Sequence, residues 1–337
     1  MRILISLAAA VAALFSTPIL AQQPSGAAEA RLTALRAMDA RVASIGHRLA
    51  IASRDLCAAQ VWRPGIVVHD LAQYGGADRI VAQRLFGLED GPAVLALAEG
   101  GPAARAGLRP DDRLVALDGV ALGGFRPKRA PSFAGVERAI VALERAFADG
   151  EAELAISRGD QQTTLRVIAD RGCATRFQLV PRSARSMEAN GVYVSVTSGM
   201  VEFALADDEL AAAMAHELAH NVLEHRRRRN EAGVRGGLMA NFGRNARVYR
   251  AQEVEADRLS VYLLDRAGFD IAAAARFWQR FGPAGLGLDS ATHPPWRSRV
   301  AALAQEAQLI REARAAGRPV VPPMPIRGPI AARPTND

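Results

Sequence analysis

The chain has 337 residues, of which 50% are hydrophobic, and this is enough material for more than one packed domain. Its net charge is +7, and the arginines that supply most of it are scattered along the sequence. The one dense run, Arg226–Arg229, closes a predicted helix, where cations complement the helix dipole, so the charge gives no support to nucleic-acid binding.

The N-terminus has the pattern of a secretory signal. A basic start at Arg2 is followed by the apolar run ILISLAAAVAALF and by a small residue at Ala21, so residues 1–21 are predicted to be a signal peptide that is removed on export. A retained membrane anchor is the alternative. No later stretch reaches the roughly 18 apolar residues that a spanning helix needs, so the mature chain is expected to have no transmembrane segment.

An amphipathic helix is predicted over residues 31–55. Its apolar residues recur at spacings of three and four, which is typical of one buried stripe. These residues are Leu32, Leu35, Met38, Val42, Ile45 and Leu49. The helix belongs to an N-terminal unit over 22–57, and residues 58–80 form a connecting segment to which no function is assigned.

From residue 81 the pattern changes to short strands and glycine-rich turns. The predicted strands, helix and hairpin lie, in order, at Ala93–Ala98, Leu114–Leu117, Val136–Phe147 and Glu151–Ile168. With the motif GPAARAGL-RPDD-RLVALDG, these residues resemble a PDZ domain of the bacterial protease type over 81–172.

A PDZ domain binds an extended peptide, usually a C-terminus, by adding it as a strand to a sheet edge. The resemblance implies that backbone N–H groups of Phe86, Gly87 and Leu88 receive the peptide carboxylate. The alternative is a spacer domain with a closed groove.

The segment 207–229 reads as a helix that contains His216-Glu217-Leu218-Ala219-His220, an HExxH motif. Asp207 is its predicted N-cap. Four residues of α-helix place His216 and His220 on one face, one turn apart, where both rings can bind one zinc ion. Glu217 beside them is placed to act as the general base of a metalloprotease. The alternative is a surface helix with two chance histidines.

A second helix, predicted to begin at Glu253 and to end at Gly268, offers a third ligand. Glu253 and Asp257 share a face, so Glu253 can bind the metal while Asp257 accepts a hydrogen bond from a ligand histidine. An ordinary acidic first turn is the alternative. Glu255 is predicted to be solvated, and residues 232–250 are predicted to be an irregular loop.

The strand 192–196 is a candidate for pairing with substrate, and a plain core strand is equally compatible with its sequence.

The motifs HELAH, EVEAD and HPPWRSR, in this order, resemble the zinc metallopeptidase family that includes HtpX, the CAAX prenyl proteases and soluble periplasmic BepA-type proteins. The resemblance implies one zinc ion per chain with Glu253 as the third ligand. It also implies that His293 lies near the metal, where some relatives use this histidine as a fourth, autoinhibitory ligand, and that Arg299 faces the site.

The two cysteines, Cys57 and Cys173, are predicted to form a disulfide if the chain is exported, with two free thiols as the alternative. In the family that the chain resembles, such an N-terminal helix is followed closely by the first strand, so the resemblance implies that the PDZ-like region is inserted into a catalytic domain made of this helix and residues 173–316. The two cysteines would then lie at the two ends of the insertion. A plain order of helix, PDZ and protease is the alternative. The proline-rich tail 317–337 is expected to be disordered.

The predicted fold is α+β: a mainly helical zincin-type metallopeptidase domain with a small edge sheet, plus an inserted β-rich PDZ-like domain. The predicted function is a zinc endopeptidase, exported to the periplasm, that hydrolyses misfolded or specific proteins of the bacterial cell envelope. Its expected partners are protein or peptide substrates, including C-terminal peptides at the PDZ-like module, and not nucleic acids. The alternative is a latent protein, capped by His293, that acts as a chaperone-like or peptide-binding adaptor.

Overall fold

The computed structural model of the protein describes residues 24–123, 130–284 and 291–322. The predicted signal peptide, 1–21, and most of the predicted tail lie outside these residues. Within them, every helix is too short or too polar to cross a lipid bilayer.

The secondary structure mixes ten α-helices with eleven short strands in the described part of the chain. The helices are α1 (Pro24–Ala52), α2 (Gly76–Phe86), α3 (Pro102–Arg105), α4 (Ala134–Ala146), α5 (Ser198–Phe203), α6 (Asp207–Val222), α7 (His225–Glu231), α8 (Gly243–Arg266), α9 (Ala273–Ala284) and α10 (Trp296–Ala315). The strands are β1 (Gln60–Arg63), β2 (Ile66–His69), β3 (Ala93–Leu97), β4 (Arg113–Leu117), β5 (Val120–Ala121), β6 (Glu151–Arg158), β7 (Gln161–Ile168), β8 (Asp170–Cys173), β9 (Arg176–Val180), β10 (Met187–Ala189) and β11 (Tyr193–Thr197). This composition confirms the predicted α+β class.

Helix α6 is the centre of the larger hydrophobic core. Leu210, Met214 and Leu218 repeat every four residues along it and are fully buried. Alanines fill most of the positions between them, which lets α1, α8 and α9 pack closely around it. Because α6 is buried on nearly every side, the side chains that it carries are held in fixed positions.

Beside α6 lies a three-stranded sheet in the order β10-β11-β9. Strand β11 pairs antiparallel with β10 and parallel with β9, so its backbone is hydrogen-bonded on both sides. Of the two interpretations of residues 192–196, the core strand is therefore the right one. Among the described residues the edge strand packed against α6 is β10.

A separate sheet, in the order β2-β3-β4-β6-β7 with β5 beside β4, has its own core. Helix α4 packs across it, and Leu114, Leu154, Ile156 and Phe147 are among its buried residues. Strand β2 comes from the segment 58–80, which was predicted to be a connector. Pro64 and Gly65, the latter with φ +77°, separate β2 from β1, which pairs instead with β8.

Helix α1 contacts both parts of the molecule. Val42, Ile45 and Leu49 join the core around α6, whereas Leu32 packs with α2. The predicted disulfide between Cys57 and Cys173 is present, with 5.5 Å between the two Cα atoms. Together with the β1–β8 pairing, it holds the two ends of the intervening segment side by side.

Two predicted helix boundaries are wrong. The helix predicted over 207–229 is divided into α6 and α7 at Glu224, whose backbone has the left-handed φ of +52°. Helix α8 begins at Gly243, ten positions before Glu253, so much of the segment predicted as an irregular loop is helical.

Candidate metal centre and active site

The HExxH motif occupies the C-terminal half of α6, as predicted. The N-cap is Ala206 and makes no side-chain hydrogen bond, so Asp207 is not the cap but lies in an acidic first turn that complements the helix dipole. One turn of helix separates His216 and His220, and their Nε2 atoms lie 3.2 Å apart. The His216 ring is buried and the His220 ring is nearly so, which fixes both against the core.

Glu253 approaches both rings from α8. Its Oε2 lies 3.3 Å from the Nε2 of His216, and its Oε1 lies 3.5 Å from the Nε2 of His220. One donor atom from each of these three residues falls within 4.8 Å of the others, in a site that is largely shielded from solvent. Two imidazoles and a carboxylate converging on one point match the donor set of a catalytic zinc site, so the residues present fit a zinc ion.

Behind His216, Asp257 and Arg299 form a buried support. The Nδ1 of His216 lies 3.0 Å from Oδ1 of Asp257. Arg299 donates two hydrogen bonds of 2.7 Å to the same carboxylate, and its guanidinium stacks 3.5 Å from the Trp278 ring. Because Asp257 accepts the Nδ1 proton, Nε2 is the ring nitrogen of His216 that faces Glu253 and that a cation would bind after displacing its proton.

The charges of this cluster are strongly coupled. Burial lowers the pKa of His216, but hydrogen bonds to Asp257 and Glu253 outweigh it and raise that pKa to about 10. Burial raises the pKa of Glu253, but the hydrogen bond to His216 and the charge of that ring outweigh it and hold the pKa well below its ordinary value. Without a metal ion, the site is therefore balanced by a proton on His216, which a bound cation would displace.

Glu217 lies on α6 beside the donor cluster and is half-buried. Burial raises its pKa to about 7, with a further contribution from the charge of Glu253. A carboxyl group with a pKa near neutral can both accept and return a proton under physiological conditions.

His293 lies at the rim of the cluster. Its Nε2 is 3.7 Å from Oε1 of Glu253, and Thr292 hydrogen-bonds to its Nδ1 at 2.9 Å. Its side chain is 36% exposed, so it reaches the site from the solvent side. Among the described residues, the tight donor group consists of His216, His220 and Glu253, and His293 stands just outside it.

No sequence motif points to His225, and Glu255, predicted to be solvated, is only 31% exposed and is paired with it. The Nδ1 of His225 lies 2.8 Å from the Nδ1 of His220, and its Nε2 lies 3.1 Å from Oε2 of Glu255. Arg228 donates a hydrogen bond of 2.6 Å to the same carboxylate. A continuous helix would point His225 away from His220, so the sequence pattern gave no signal for this contact.

The residues predicted to receive a peptide carboxylate are packed into a small core between α1 and α2. Phe86 and Leu88 are buried, and Gly87 ends α2 with a left-handed backbone. The Phe86 ring contacts His69 and lies under the guanidinium of Arg36. These contacts show a packing role, and carboxylate binding by this segment stays a prediction.

Comparison with known proteins gives two family matches. Peptidase family M48 matches residues 184–243 and 234–307, and the PDZ domain family matches residues 94–127. The mitochondrial metalloendopeptidase OMA1 of Schizosaccharomyces pombe is 30% identical over 148 residues, which cover 36% of this chain and 44% of that protein. The putative beta-barrel assembly-enhancing protease of Vibrio cholerae is 27% identical over 134 residues, 32% of this chain and 28% of that protein. The chain thus spans less than half the length of either relative.

Proposed function

We propose that this chain, in which residues 184–307 match peptidase family M48 and residues 94–127 match the PDZ domain family, is a zinc-dependent endopeptidase of misfolded or specific proteins of the bacterial cell envelope. In this proposal the PDZ domain captures substrates or regulates their cleavage. The observation that carries the proposal is the convergence of His216, His220 and Glu253 next to the half-buried carboxyl of Glu217.

One zinc ion, held by His216, His220 and Glu253, would polarise the scissile carbonyl and acidify the attacking water. Glu217 takes the proton from that water and later passes it to the leaving amine. Asp257 and Arg299 hold the His216 ring in the orientation that presents its Nε2 to the ion.

Strand β10 is the best candidate to bind the substrate backbone. It is an edge strand of its sheet in the described part of the chain, and it packs against α6. Glu188, in the middle of β10, is close enough to raise the pKa of Glu217 after the larger effect of burial. A peptide added to the free edge of β10 would therefore run beside the general base.

The PDZ domain offers a second edge. Strand β2 pairs with β3 and ends its sheet among the described residues, and α4 packs next to it. A peptide that adds to β2 would lie between this strand and α4, which is the mode by which PDZ domains bind extended peptides. Export to the periplasm rests on the predicted signal at 1–21 and belongs to the same proposal.

The proposed function is tested by comparing the wild type with Glu217→Gln in the cleavage of an unfolded model protein, with zinc content measured on both. We expect Glu217→Gln to keep one zinc ion per chain and to lose at least about 100-fold in activity, since general acid–base groups contribute this much or more. Glu202→Gln, the same change at an exposed position on α5, is the matched control and should retain full activity. Undiminished cleavage by Glu217→Gln would disprove the assigned role of Glu217.

One observation favours a second candidate, a latent peptide-binding protein. His293 lies 3.7 Å from Glu253, close enough for a small loop movement to bring it onto the ion as a further ligand. Zinc in the wild type without cleavage of any protein would support this candidate.

A further inference from the structure

A series of hydrogen bonds extends outward from His220 of the candidate metal centre. It begins at the Nδ1 of His220, passes through both ring nitrogens of His225 and ends at the carboxylate of Glu255. His225 is 0% exposed, so its polar ring has no access to water and depends on these two partners. Gln252 holds the backbone of His225 through a hydrogen bond to its carbonyl.

A break in the helical backbone between α6 and α7 makes these hydrogen bonds possible. In an uninterrupted helix, residues five apart point about 140° away from each other, so His225 could not face His220. Glu224 breaks the helix with φ +52° and ψ +36°, and α7 then starts at His225. The break turns the two rings edge to face, with centroids 4.8 Å apart. A non-glycine residue rarely adopts this backbone conformation unless the surroundings enforce it.

The direction of each hydrogen bond from His220 through His225 to Glu255 follows from Glu255, the last residue of the series. The Glu255 carboxylate, paired with Arg228, can only accept, so the Nε2 of His225 must carry the proton that it receives. The neutral ring of His225 then has a bare Nδ1, which accepts a hydrogen bond from the Nδ1 of His220. The Nε2 of His220 is left without a proton, and it is this atom that points at Glu253.

We propose that His225 and Glu255 are positioning residues that fix His220 in the Nδ1–H tautomer and so present its Nε2 lone pair to the metal ion. The inference rests on the proposed function, because it concerns a ring that would hold zinc. It gives the two ligand histidines equivalent supports: Asp257 accepts directly from His216, whereas Glu255 acts on His220 through an intervening imidazole. Neither His225 nor Glu255 contacts substrate or metal in this arrangement.

The proposal is tested first on the metal-free protein, with no reference to activity. Long-range nitrogen–proton correlation spectra of ¹⁵N-histidine-labelled protein report which nitrogen of each ring is protonated. We expect the Nδ1–H form of His220 in the wild type and a loss of that form in His225→Phe. Glu255→Gln keeps an oxygen that can accept from His225 and should preserve the wild-type tautomer, whereas Glu255→Leu should not.

Zinc affinity, measured by competition with a chelator, gives a second readout. Outer partners of ligand histidines contribute roughly 10–100-fold to metal affinity, so His225→Phe and Glu255→Leu should weaken zinc binding by about that factor. Glu255→Gln should stay close to the wild type. His69→Phe is the matched control, because it replaces another histidine that is 0% exposed but lies in the β2 strand, and it should leave zinc affinity unchanged.

The outcomes separate this proposal from the proposed function. A wild type that binds no zinc would contradict the proposed function, while the tautomer of His220 in the metal-free protein would still decide the positioning role. Equal zinc affinity and an unchanged His220 tautomer in His225→Phe would overturn the positioning role alone. If His225→Phe does not fold, the comparison of Glu255→Leu with Glu255→Gln tests the positioning role instead, because Glu255 is the last acceptor in this series of hydrogen bonds.

Discussion

Glu253 is the residue on which the candidate metal centre depends most directly. It supplies the only carboxylate of the donor group, and its two oxygens lie 3.3 and 3.5 Å from the ring nitrogens of His216 and His220. Glu253→Ala should therefore weaken zinc binding by more than the roughly 10–100-fold that outer partners contribute. Chelator competition measures this loss, and Glu231→Ala, an exposed change on α7, should leave the affinity unaltered. Stoichiometric, tight zinc in Glu253→Ala would remove this residue from the ligand set.

His293 allows a prediction with the opposite sign. Its Nε2 lies 3.7 Å from Glu253 and its ring reaches the site from solvent, so we expect it to compete with substrate for the metal ion. His293→Ala should raise the cleavage rate of an unfolded protein severalfold and leave zinc content unchanged. A fall in both activity and zinc would instead make His293 an ordinary ligand.

The residues of the centre could be predicted from sequence wherever helical period alone decides their position. His216 and His220, or Glu253 and Asp257, share a face because they are four residues apart on one helix. The contact between His225 and His220 could not be predicted, because it depends on one left-handed residue between them. No feature of the sequence around Glu224 marks it for that conformation, which glycine adopts far more readily.

At the scale of elements, the break between α6 and α7 can be tested at Glu224. Glu224→Gly should preserve or raise stability, because glycine adopts φ +52° without a steric penalty and this gain offsets the lost pairing with Arg227. Glu224→Val should destabilise the fold by about 1–2 kcal/mol, since a β-branched residue resists this conformation. Chemical denaturation of the two variants measures the difference. Equal stability of Gly and Val at this position would show that the break is not strained.

The strands were predicted less well than the helices, and the reason is their tertiary pairing. The segment around Pro64 and Gly65, predicted only as part of a connector, forms two strands that join different sheets, β1 with β8 and β2 with β3. Likewise, the sequence of β11 does not reveal that it pairs on both sides, so the edge position of β10 emerges only from the fold. The alternation of apolar and polar residues predicts which face of a strand is buried, but it does not predict which strands lie beside it.

In the molecule as a whole, α1 and the Cys57–Cys173 disulfide connect the sheet β2-β3-β4-β6-β7 to the core around α6. Arg176 adds a polar connection, because it bonds both to Glu144 of α4 and to the Tyr193 hydroxyl of β11. The same hydroxyl donates to Glu137 of α4. Helix α4 therefore contacts β11, the strand that precedes α5 and the helix of the candidate metal centre.

Two buried histidines make the folding stability of the protein sensitive to acid. Burial lowers the pKa of His69 to about 3, and burial together with the charge of Arg63 lowers that of His47 to about 4. Both values lie below the value of about 6.5 in an unfolded chain, so protons bind the unfolded state preferentially. The stabilising effect of keeping the rings neutral is complete above pH 6.5 and is lost as the pH falls toward 4.

The expected loss is about 1.4 kcal/mol per pH unit for each of these rings below pH 6.5. The free energy of unfolding of the metal-free protein, measured by denaturant titration at a series of pH values, checks it. Between pH 6 and 4.5, replacing His69 by Phe should lower the slope of the free energy of unfolding against pH by about 1.4 kcal/mol per pH unit. This is the slope that one bound proton contributes. Because every carboxylate and the other histidines are common to both proteins, the difference between the two slopes isolates His69. Identical slopes would mean that this ring is already protonated in the folded state, in conflict with its complete burial next to the Tyr74 hydroxyl.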